Sequence, residues 1–515
     1  LYYLVPKRFQ WVVLLIGSYA FYAFVCLRYM GFIVVTTLTT YFGARGMDAM
    51  TARMEQTVAA HKQDWEREER KAYKKRCKSR RKALMIAILL LNFGILAVLK
   101  YYNFFAESME TLFASVGLTV SLGRIGLLLP LGISFYTFQS MGYVLDVYRE
   151  KVPAERNVGK LALFVSFFPQ IIQGPIGVYD QLAHQLYDEH KYNFDNIRFG
   201  AQLILWGFFK KLVIADRAAV LVNAVIKDSC PYGGAVIASG ILFYCIQLYC
   251  DFSGGIDITR GVARLFGIDM AENFRRPIFA TSLTDYWRRW HITLGAWMRD
   301  YVFYPISLSR GFGKLSRWAR AHIGGTAGKI FATSLATFIV YFIIGIWHGA
   351  NFRYIAFGLW NGVLITASLL LEKTFLRWKA ALHVNDKSAG WRVFMTLRTA
   401  LLVFIGRYFT RAPRLRSVFT LLKTTVLHPQ PGQLFDGTLL SLGLAKTDFL
   451  VIALGLIVLL VLESLQERGV QIRAGLEKES GFVQWAAMSA LLLAVFLLGV
   501  FRAGYIPSGF IYTQF

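Results

Sequence analysis

The chain has 515 residues, with 57 Lys and Arg against 31 Asp and Glu and a formal net charge of +26. Yet 56% of it is hydrophobic, 16% aromatic and only 17% charged, where a soluble protein of this size carries about 25% charge. This excludes a disordered chain, a nucleic-acid binder and, with an odd and sparse five cysteines, a disulfide scaffold; a polytopic membrane protein remains.

A helix needs about 20 mostly apolar residues to cross about 30 Å of hydrocarbon. Charge-free runs lie at 9–27, 29–44, 83–99, 125–145, 161–179, 229–250, 330–347, 354–371 and 480–501, with a shorter one at 449–462. Residues 197–226 are apolar but interrupted by Lys210, Lys211, Asp216 and Arg217. These runs predict an all-α polytopic membrane protein of roughly ten to twelve membrane segments, forming one membrane domain over 1–515. The first eight residues show no cleavable-signal pattern, so the first run reads as a retained helix.

The stretch 51–82 holds 12 basic and 5 acidic side chains, net +7. Lys71, Lys74, Lys75, Arg76, Lys78, Arg80, Arg81 and Lys82 crowd its second half. The positive-inside rule makes it a cytoplasmic loop. It is either a topology signal alone or a docking surface for an acidic carrier or anionic lipid. Further basic loops are expected at 275–329, 372–398 and 407–423. No internal repeat is visible, which argues against a repeat-built transporter. No Cys/His spacing suits zinc, so no metal is expected.

An ionisable residue inside a span costs about 2.5–3.5 kcal/mol on insertion scales and so usually has a purpose. Such residues concentrate between Gln247 and Asp300. Asp257, Arg260 and Arg264 share a helical face and are placed to pair with one another, and Gly254-Gly255 is expected to bend that segment. Residues 282–299 read as one amphipathic helix capped by Ser282, with Asp285 in its first turn. Trp287, His291, Leu294 and Met298 then form one stripe, flanked by Trp290 and Trp297. The helix either lies at the membrane interface or presents His291 to a cavity. His348 ends the run 330–347, and a neutral imidazole there suits a general base or a hydrogen-bonded helix end. Walker A, HExxH, GxSxG and the dinucleotide fingerprint are absent. His184 and Asp188 spell HxxxD, a chance match among eight histidines.

Four stretches carry a family resemblance: LPLGISFYTFQSMGYVLDVYR at 129–149, FVSFFPQIIQGPI at 164–176, the block 248–306 that includes DYWRRWHITLGAWMRD, and IGIWHGANFRYIAFGLWNG at 344–362. The chain resembles the membrane-bound O-acyltransferase (MBOAT) family, in its bacterial branch of the alginate-acetylation type. The resemblance implies a ring of helices with re-entrant segments around a central tunnel, a catalytic core over 125–375 and C-terminal helices over 376–515. It implies His348 of the WHG motif as the catalytic residue and His291 of the WRRWH motif as the second. Tyr249, Asp251, Ser253, Asn273, Trp287, Arg288, Trp290, Arg299, Asp300, Trp347 and Asn351 become substrate or tunnel candidates. Arg288, Arg289 and Arg299 either attract a cofactor phosphate or anchor the interface.

The reaction so implied moves an acyl group, foremost acetyl, from a cytoplasmic thioester to a hydroxyl acceptor for cell-envelope or exopolysaccharide modification. The donor is acetyl-CoA or an acyl-carrier phosphopantetheine used as cosubstrate, with no permanently bound cofactor. His348 would take the hydroxyl proton, and His291 would donate to the oxyanion or position the acceptor. The expected partners are the lipid bilayer, an extracytoplasmic transferase or acceptor polymer, and a cytoplasmic acyl carrier protein, with no nucleic acid. The expected location is the bacterial cytoplasmic membrane. D-alanyl transfer to teichoic acid, a transporter, and a non-catalytic platform stay open as alternatives. Gly255, Arg353 and Thr513 depart from the family pattern, which bears on the acceptor more than on the chemistry.

Overall fold

The computed structural model describes residues 1–126, 129–228 and 230–501. The run 125–145 therefore has two residues outside the described set, the run 229–250 has one, and the tail with Thr513 lies outside it altogether. Among the described residues the chain is helical, with one isolated bridge between Phe274 and Trp290. It divides into two compact units, 1–200 with 259–271, and 201–258 with 272 onward.

The first unit contains α1 (Gln10–Cys26), α2 (Met30–Ala60), α3 (Arg67–Ser115), α4 (Ile133–Tyr148), α5 (Val158–Ser166), α6 (Phe168–Gln173) and α7 (Tyr179–Tyr187). The basic stretch 51–82 is not a loop. It is the tip of the α2–α3 hairpin, with only 61–66 outside the two helices. A capping box sets the start of α3: Glu66 accepts from the backbone at Glu69, whose side chain returns to the Glu66 N–H at 3.1 Å. Reciprocal capping of this kind satisfies two orphan donors. Arg81 is buried and pairs with Glu150, while its Nη2 donates to the Tyr148 carbonyl at 3.0 Å.

Two charge-free runs do not form single membrane helices. Among the described residues of the run 125–145 the helix begins at Ile133, after Gly132 at φ 68°, and α4 is buried on nearly every side. The run 161–179 is cut at Phe167 into α5 and α6, with Pro169 in the first turn of α6, where a missing N–H costs nothing.

The interrupted run 197–226 is α8 (Phe194–Phe208), a π-helical turn (Phe209–Ala215) and α9 (Asp216–Val225). α10 (Gly234–Leu265) follows as one continuous 32-residue helix. The Gly254-Gly255 pair does not break it; Gly254 lies where a Cβ would meet the Gly207 carbonyl oxygen at 2.8 Å. The expected pairing among Asp257, Arg260 and Arg264 does not form. Asp257 pairs with Lys210 at 2.8 Å, Arg260 donates to the Met270 carbonyl at 3.1 Å, and Arg264 pairs with Asp269.

The second unit continues with α11 (Leu283–Arg289), α12 (Ile292–Met298), α13 (Tyr304–Ser307), α14 (Arg310–Ile323), α15 (Gly325–His348), α16 (Phe352–Leu370), α17 (Glu372–Ala381), α18 (Ala389–Arg411), α19 (Leu415–Leu427), α20 (Lys446–Glu467), α21 (Ile472–Glu477) and α22 (Gly481–Leu498). The three stretches expected as basic loops are thus largely helical. Among the described residues, eight helices are long and apolar enough to cross a membrane: Lys7–Val25, α3, α10, Ala327–His348, α16, α18, α20 and α22. The lower count than ten to twelve follows from the runs that fold as short or internal helices.

Candidate active site

α15 and α16 form an antiparallel hairpin whose helices nearly touch. A Cβ on Gly345 would lie 2.6 Å from the Tyr354 carbonyl oxygen and 3.0 Å from the Gly358 Cα. Small residues at such a crossing let backbones approach closely. The hairpin tip carries His348 as the last residue of α15. Gly349 next to it leaves room for the Tyr354 ring, which a Cβ would meet at 2.6 Å. Asn351, one of the tunnel candidates, caps α16 by accepting from the Arg353 N–H at 3.1 Å.

His348 is buried in an aromatic wall. Its ring lies 5.0 Å from Trp347, 5.6 Å from Phe357 and 6.4 Å from Tyr354. The Trp347 indole also meets His291, edge to face, at 5.7 Å. One indole therefore touches both histidines, and the structure brings together the two residues that the motifs single out.

His291 does not lie on a continuous helix. The expected helix 282–299 starts as read, with Ser282 accepting from the Asp285 N–H at 3.0 Å, but it stops at Arg289. It resumes at Ile292, with His291 left-handed at φ 49°. Few non-glycine residues adopt that conformation, and those that do cluster at functional sites. Backbone pairing with 273–275 holds the break in place: the Arg275 N–H donates to the Arg289 carbonyl at 2.8 Å, and the Ile292 N–H to the Asn273 carbonyl at 3.0 Å.

Asn273 fixes the imidazole. Its Oδ1 accepts from the Thr293 N–H and from the Thr293 hydroxyl, both at 3.0 Å, which settles the amide's orientation. His291 Nδ1 lies 3.2 Å from the same oxygen and so must donate to it. The lone pair then resides on Nε2. Burial by itself lowers the His291 pKa from its ordinary value of 6.5, keeping the ring neutral. A neutral ring with its proton on Nδ1 has none on Nε2 to give, so of the two roles expected for His291 the arrangement suits positioning the acceptor rather than donating to the oxyanion. The Asn273 Nδ2 group is buried without a hydrogen-bond partner and supplies a spare donor beside His291.

Two results should follow. Asn273→Leu removes the orienting acceptor, and kcat should fall about 10-fold or more while KM moves little, because second-partner losses at imidazoles typically cost 10–100-fold. Asn273→Asp should shift the acid limb of the pH–rate profile upward, since a carboxylate favours imidazolium; steady-state kinetics at several pH values tests both. His291 also links stability to pH. Its folded pKa is depressed, so the unfolded chain binds the extra proton, and stability falls as pH drops below about 6.5. The melting temperature of His291→Gln should fall less between pH 7 and pH 5 than that of the wild type.

The remaining candidates divide. Trp287 Nε1 donates to Asn361 at 3.1 Å, and its ring lies 6.3 Å from Phe357, which in turn touches His348. Trp290 is buried and stacks on Tyr286 at 5.6 Å. A cavity of about 150 Å³ lies against Trp287, Leu294, Met298, Arg299, Tyr341 and Ile344, the last one turn before His348. Arg299 pairs with Asp300 at 2.8 Å at its mouth, and Arg288 is exposed. Arg289 is tied to Glu467 at 2.9 Å and Asp285 at 3.0 Å.

Tyr249, Asp251 and Ser253 on α10 belong to a buried ionic network. Tyr249 donates to Glu463, Asp251 pairs with Lys211, and Ser253 accepts from Lys210 at 2.9 Å. Lys211 also pairs with Asp216 at 2.8 Å, five residues on, the spacing of the π-helical turn that carries it. This network sits next in sequence to Phe252, whose ring meets His291 at 4.9 Å.

Sequence reasoning passed over Arg407. It was grouped with a basic loop but is buried on α18, 4.9 Å from the Trp290 ring and bonded to the Tyr286 hydroxyl. Its signal was a lone cation in the apolar stretch LLVFIGRYF.

Comparison with known proteins shows the family. The model of the MBOAT, membrane-bound O-acyltransferase family matches residues 157–397, which include both histidines. The chain is 33% identical to the probable alginate O-acetylase AlgI of Pseudomonas syringae pv. tomato, over 81% of this chain and 70% of that protein. It is 28% identical to a peptidoglycan O-acetyltransferase of Helicobacter pylori over 82% of this chain and 74% of the relative. It is 25% identical to a teichoic acid D-alanyltransferase of Streptococcus thermophilus over 59% of this chain and 74% of the relative. With 33% identity to an alginate O-acetylase over 81% of this chain and 70% of that protein, and with a match to the family model that includes both histidines, this multi-pass membrane chain belongs to the membrane-bound O-acyltransferase family and is an O-acyltransferase.

Proposed function

We propose that this protein transfers an acetyl group from a cytoplasmic thioester, across the bacterial cytoplasmic membrane, to a hydroxyl of an extracytoplasmic polysaccharide. The observation that carries the reading is the Trp347-linked pair of His348 and His291, in a chain whose match to an alginate O-acetylase spans 81% of its length. The match to a D-alanyltransferase covers only 59%, which favours acetyl over D-alanyl.

In this reading His348 removes the acceptor's hydroxyl proton as the oxygen attacks the thioester carbonyl. His291 Nε2 positions the acceptor by accepting a hydrogen bond from a neighbouring hydroxyl of the glycan, and the Asn273 Nδ2 group offers a hydrogen bond to the developing oxyanion. Collapse of the tetrahedral intermediate expels the thiolate, which takes the proton back from His348. The aromatic wall keeps water from the thioester. The donor is acetyl-CoA or an acyl-carrier phosphopantetheine, and the acetyl group passes to the polymer directly or through an extracytoplasmic transferase.

The test is reconstitution. Full-length protein in nanodiscs, given acetyl-CoA or an acetylated carrier protein labelled in the acetyl group, should move label to a polysaccharide acceptor or to a partner transferase. Label that stays on both donors, with protein that is folded and monodisperse, overturns the reading.

A further inference from the structure

We infer that Arg353 and Arg411 form an anion subsite beside His348, which binds the negatively charged group of the acceptor glycan, a carboxylate or a phosphodiester. The inference rests on the acyl-transfer reading and names its acceptor class.

Arg353 lies in the first turn of α16. Its guanidinium sits over the Tyr354 ring at 4.6 Å, and its Nη2 donates to the Tyr354 hydroxyl at 2.8 Å. Its Nη1 donates to the Ala412 carbonyl, just past the end of α18. The Tyr354 ring lies beside the His348 imidazole, 6.4 Å away and inclined by 28°. Arg411, the last residue of α18, donates to Asn223 at 2.7 Å and lies within electrostatic reach of both Arg353 and Tyr354. Two half-buried guanidinium groups thus share the neighbourhood of one tyrosine hydroxyl.

Among the described residues their partners are neutral: a carbonyl, a phenol and an amide. Several other arginines of the same unit have carboxylates, although Arg407 and Arg398 also have neutral partners. Arg217 has Asp448, Arg276 and Arg289 share Glu467, and Arg414, three residues beyond Arg411, has Asp228 at 3.6 Å. Two like charges placed together away from bulk water repel, and a bound anion relieves that repulsion. The guanidinium fork matches carboxylate and phosphate in a two-bond geometry.

The position of the pair along the hairpin assigns the anion to the acceptor. α15 begins after the basic helix α14, and α16 runs into α17 with Lys373, Arg377 and Lys379. The positive-inside rule puts those ends in the cytoplasm and the His348–Tyr354 connection at the far side. Arg411, at the end of α18, lies toward the same side as the start of α16, so the pair faces the side from which the acceptor arrives. An anionic donor such as coenzyme A arrives from the opposite end.

The experiment measures binding without any donor, so failure of acyl transfer leaves its readout intact. Full-length protein in nanodiscs is titrated with a short oligouronate, an oligomeric polyol phosphate and a neutral oligoglucan. The wild type should bind one of the anionic probes at least about 10-fold more tightly than the neutral one, and the preferred probe identifies carboxylate or phosphodiester as the source. Arg353→Gln and Arg411→Gln should each weaken that probe about 10- to 100-fold, the range for a lost charged hydrogen bond, with Arg353→Lys in between. Should Arg353→Gln melt early, Arg411→Gln carries the measurement. Equal binding of charged and neutral probes, or wild-type affinity in both Gln variants, overturns the inference. So does coenzyme A, rather than the glycan, losing affinity in the variants. Label delivered solely to a protein acceptor, at an unchanged rate in Arg353→Gln, overturns it as well.

Discussion

His348→Ala should lower kcat for acyl transfer by about 10²–10⁴-fold, the usual contribution of a general base, while the protein still inserts, purifies and melts as the wild type does. The stability expectation follows from position. His348 is the last residue of α15, beyond the Gly345–Gly358 crossing that holds the hairpin together. Its loss trims aromatic contacts at the tip without disturbing that crossing. The activity expectation follows from the Trp347 indole, which holds His348 and His291 in one constellation. Single-turnover transfer of labelled acetyl measures the effect. His291→Ala should be impaired less than His348→Ala, because a group that positions a hydroxyl contributes less than the one that removes its proton. Wild-type turnover in His348→Ala would remove it from the mechanism.

Lys211→Met should cost the fold about 3–5 kcal/mol, as breaking a buried ion pair from one side generally does. Lys211 is buried between Asp216 and Asp251, both also buried. Without the ammonium, two carboxylates face each other in a dry interior, and their repulsion adds to the desolvation penalty. The loss should read as a large drop in melting temperature in detergent. Lys211→Met with Asp251→Asn should recover part of it by removing one of the stranded charges. The network borders Phe252, which touches His291, so a residual transfer defect is also expected in any Lys211 variant that folds. A Lys211→Met protein with unchanged melting would show that solvent reaches this site and that the network does not hold α10.

The overall class was legible because composition is a one-dimensional property. A chain that is 56% hydrophobic and only 17% charged has few ways to be soluble, and the long charge-free runs at 330–347, 354–371 and 480–501 became the helices α15, α16 and α22. Runs failed as guides where length was supplied by irregular backbone. In 161–179 the chain turns at Phe167 before Pro169, and in 125–145 the helix waits for Gly132. α4, α5 and α6 are apolar because protein surrounds most of their residues. Charge misled in the opposite direction. The stretch 51–82 read as a loop, yet its cations ride on a helical hairpin, since Lys and Arg are good helix formers and Glu66 and Glu69 cap the start.

The two histidines were named from sequence by motif and given roles by resemblance, but their surroundings were not legible there. Spacing put His291 on a helical stripe with Trp287 and Leu294; the fold breaks that helix at His291 and turns the imidazole toward Asn273, 18 residues earlier. No periodicity contains that contact. It depends on backbone pairing between 273–275 and 289–292, which is settled only when the segments meet. Arg407 is a similar case, a cation counted with the loops until α18 places it against Trp290.

The sequence by itself determined the membrane setting and the net positive charge of its loops and hairpin tips, and it singled out two histidines by motif, because apolar runs, charge excess and motifs are properties of residues in order. Tertiary structure alone decided which lysine neutralises Asp251, which nitrogen of His291 carries the proton, and that Arg353 reaches the end of α18 next to Arg411. Those depend on side chains far apart in sequence being carried to within a few ångströms, and burial there converts a hydrogen bond or an ion pair from optional to obligatory.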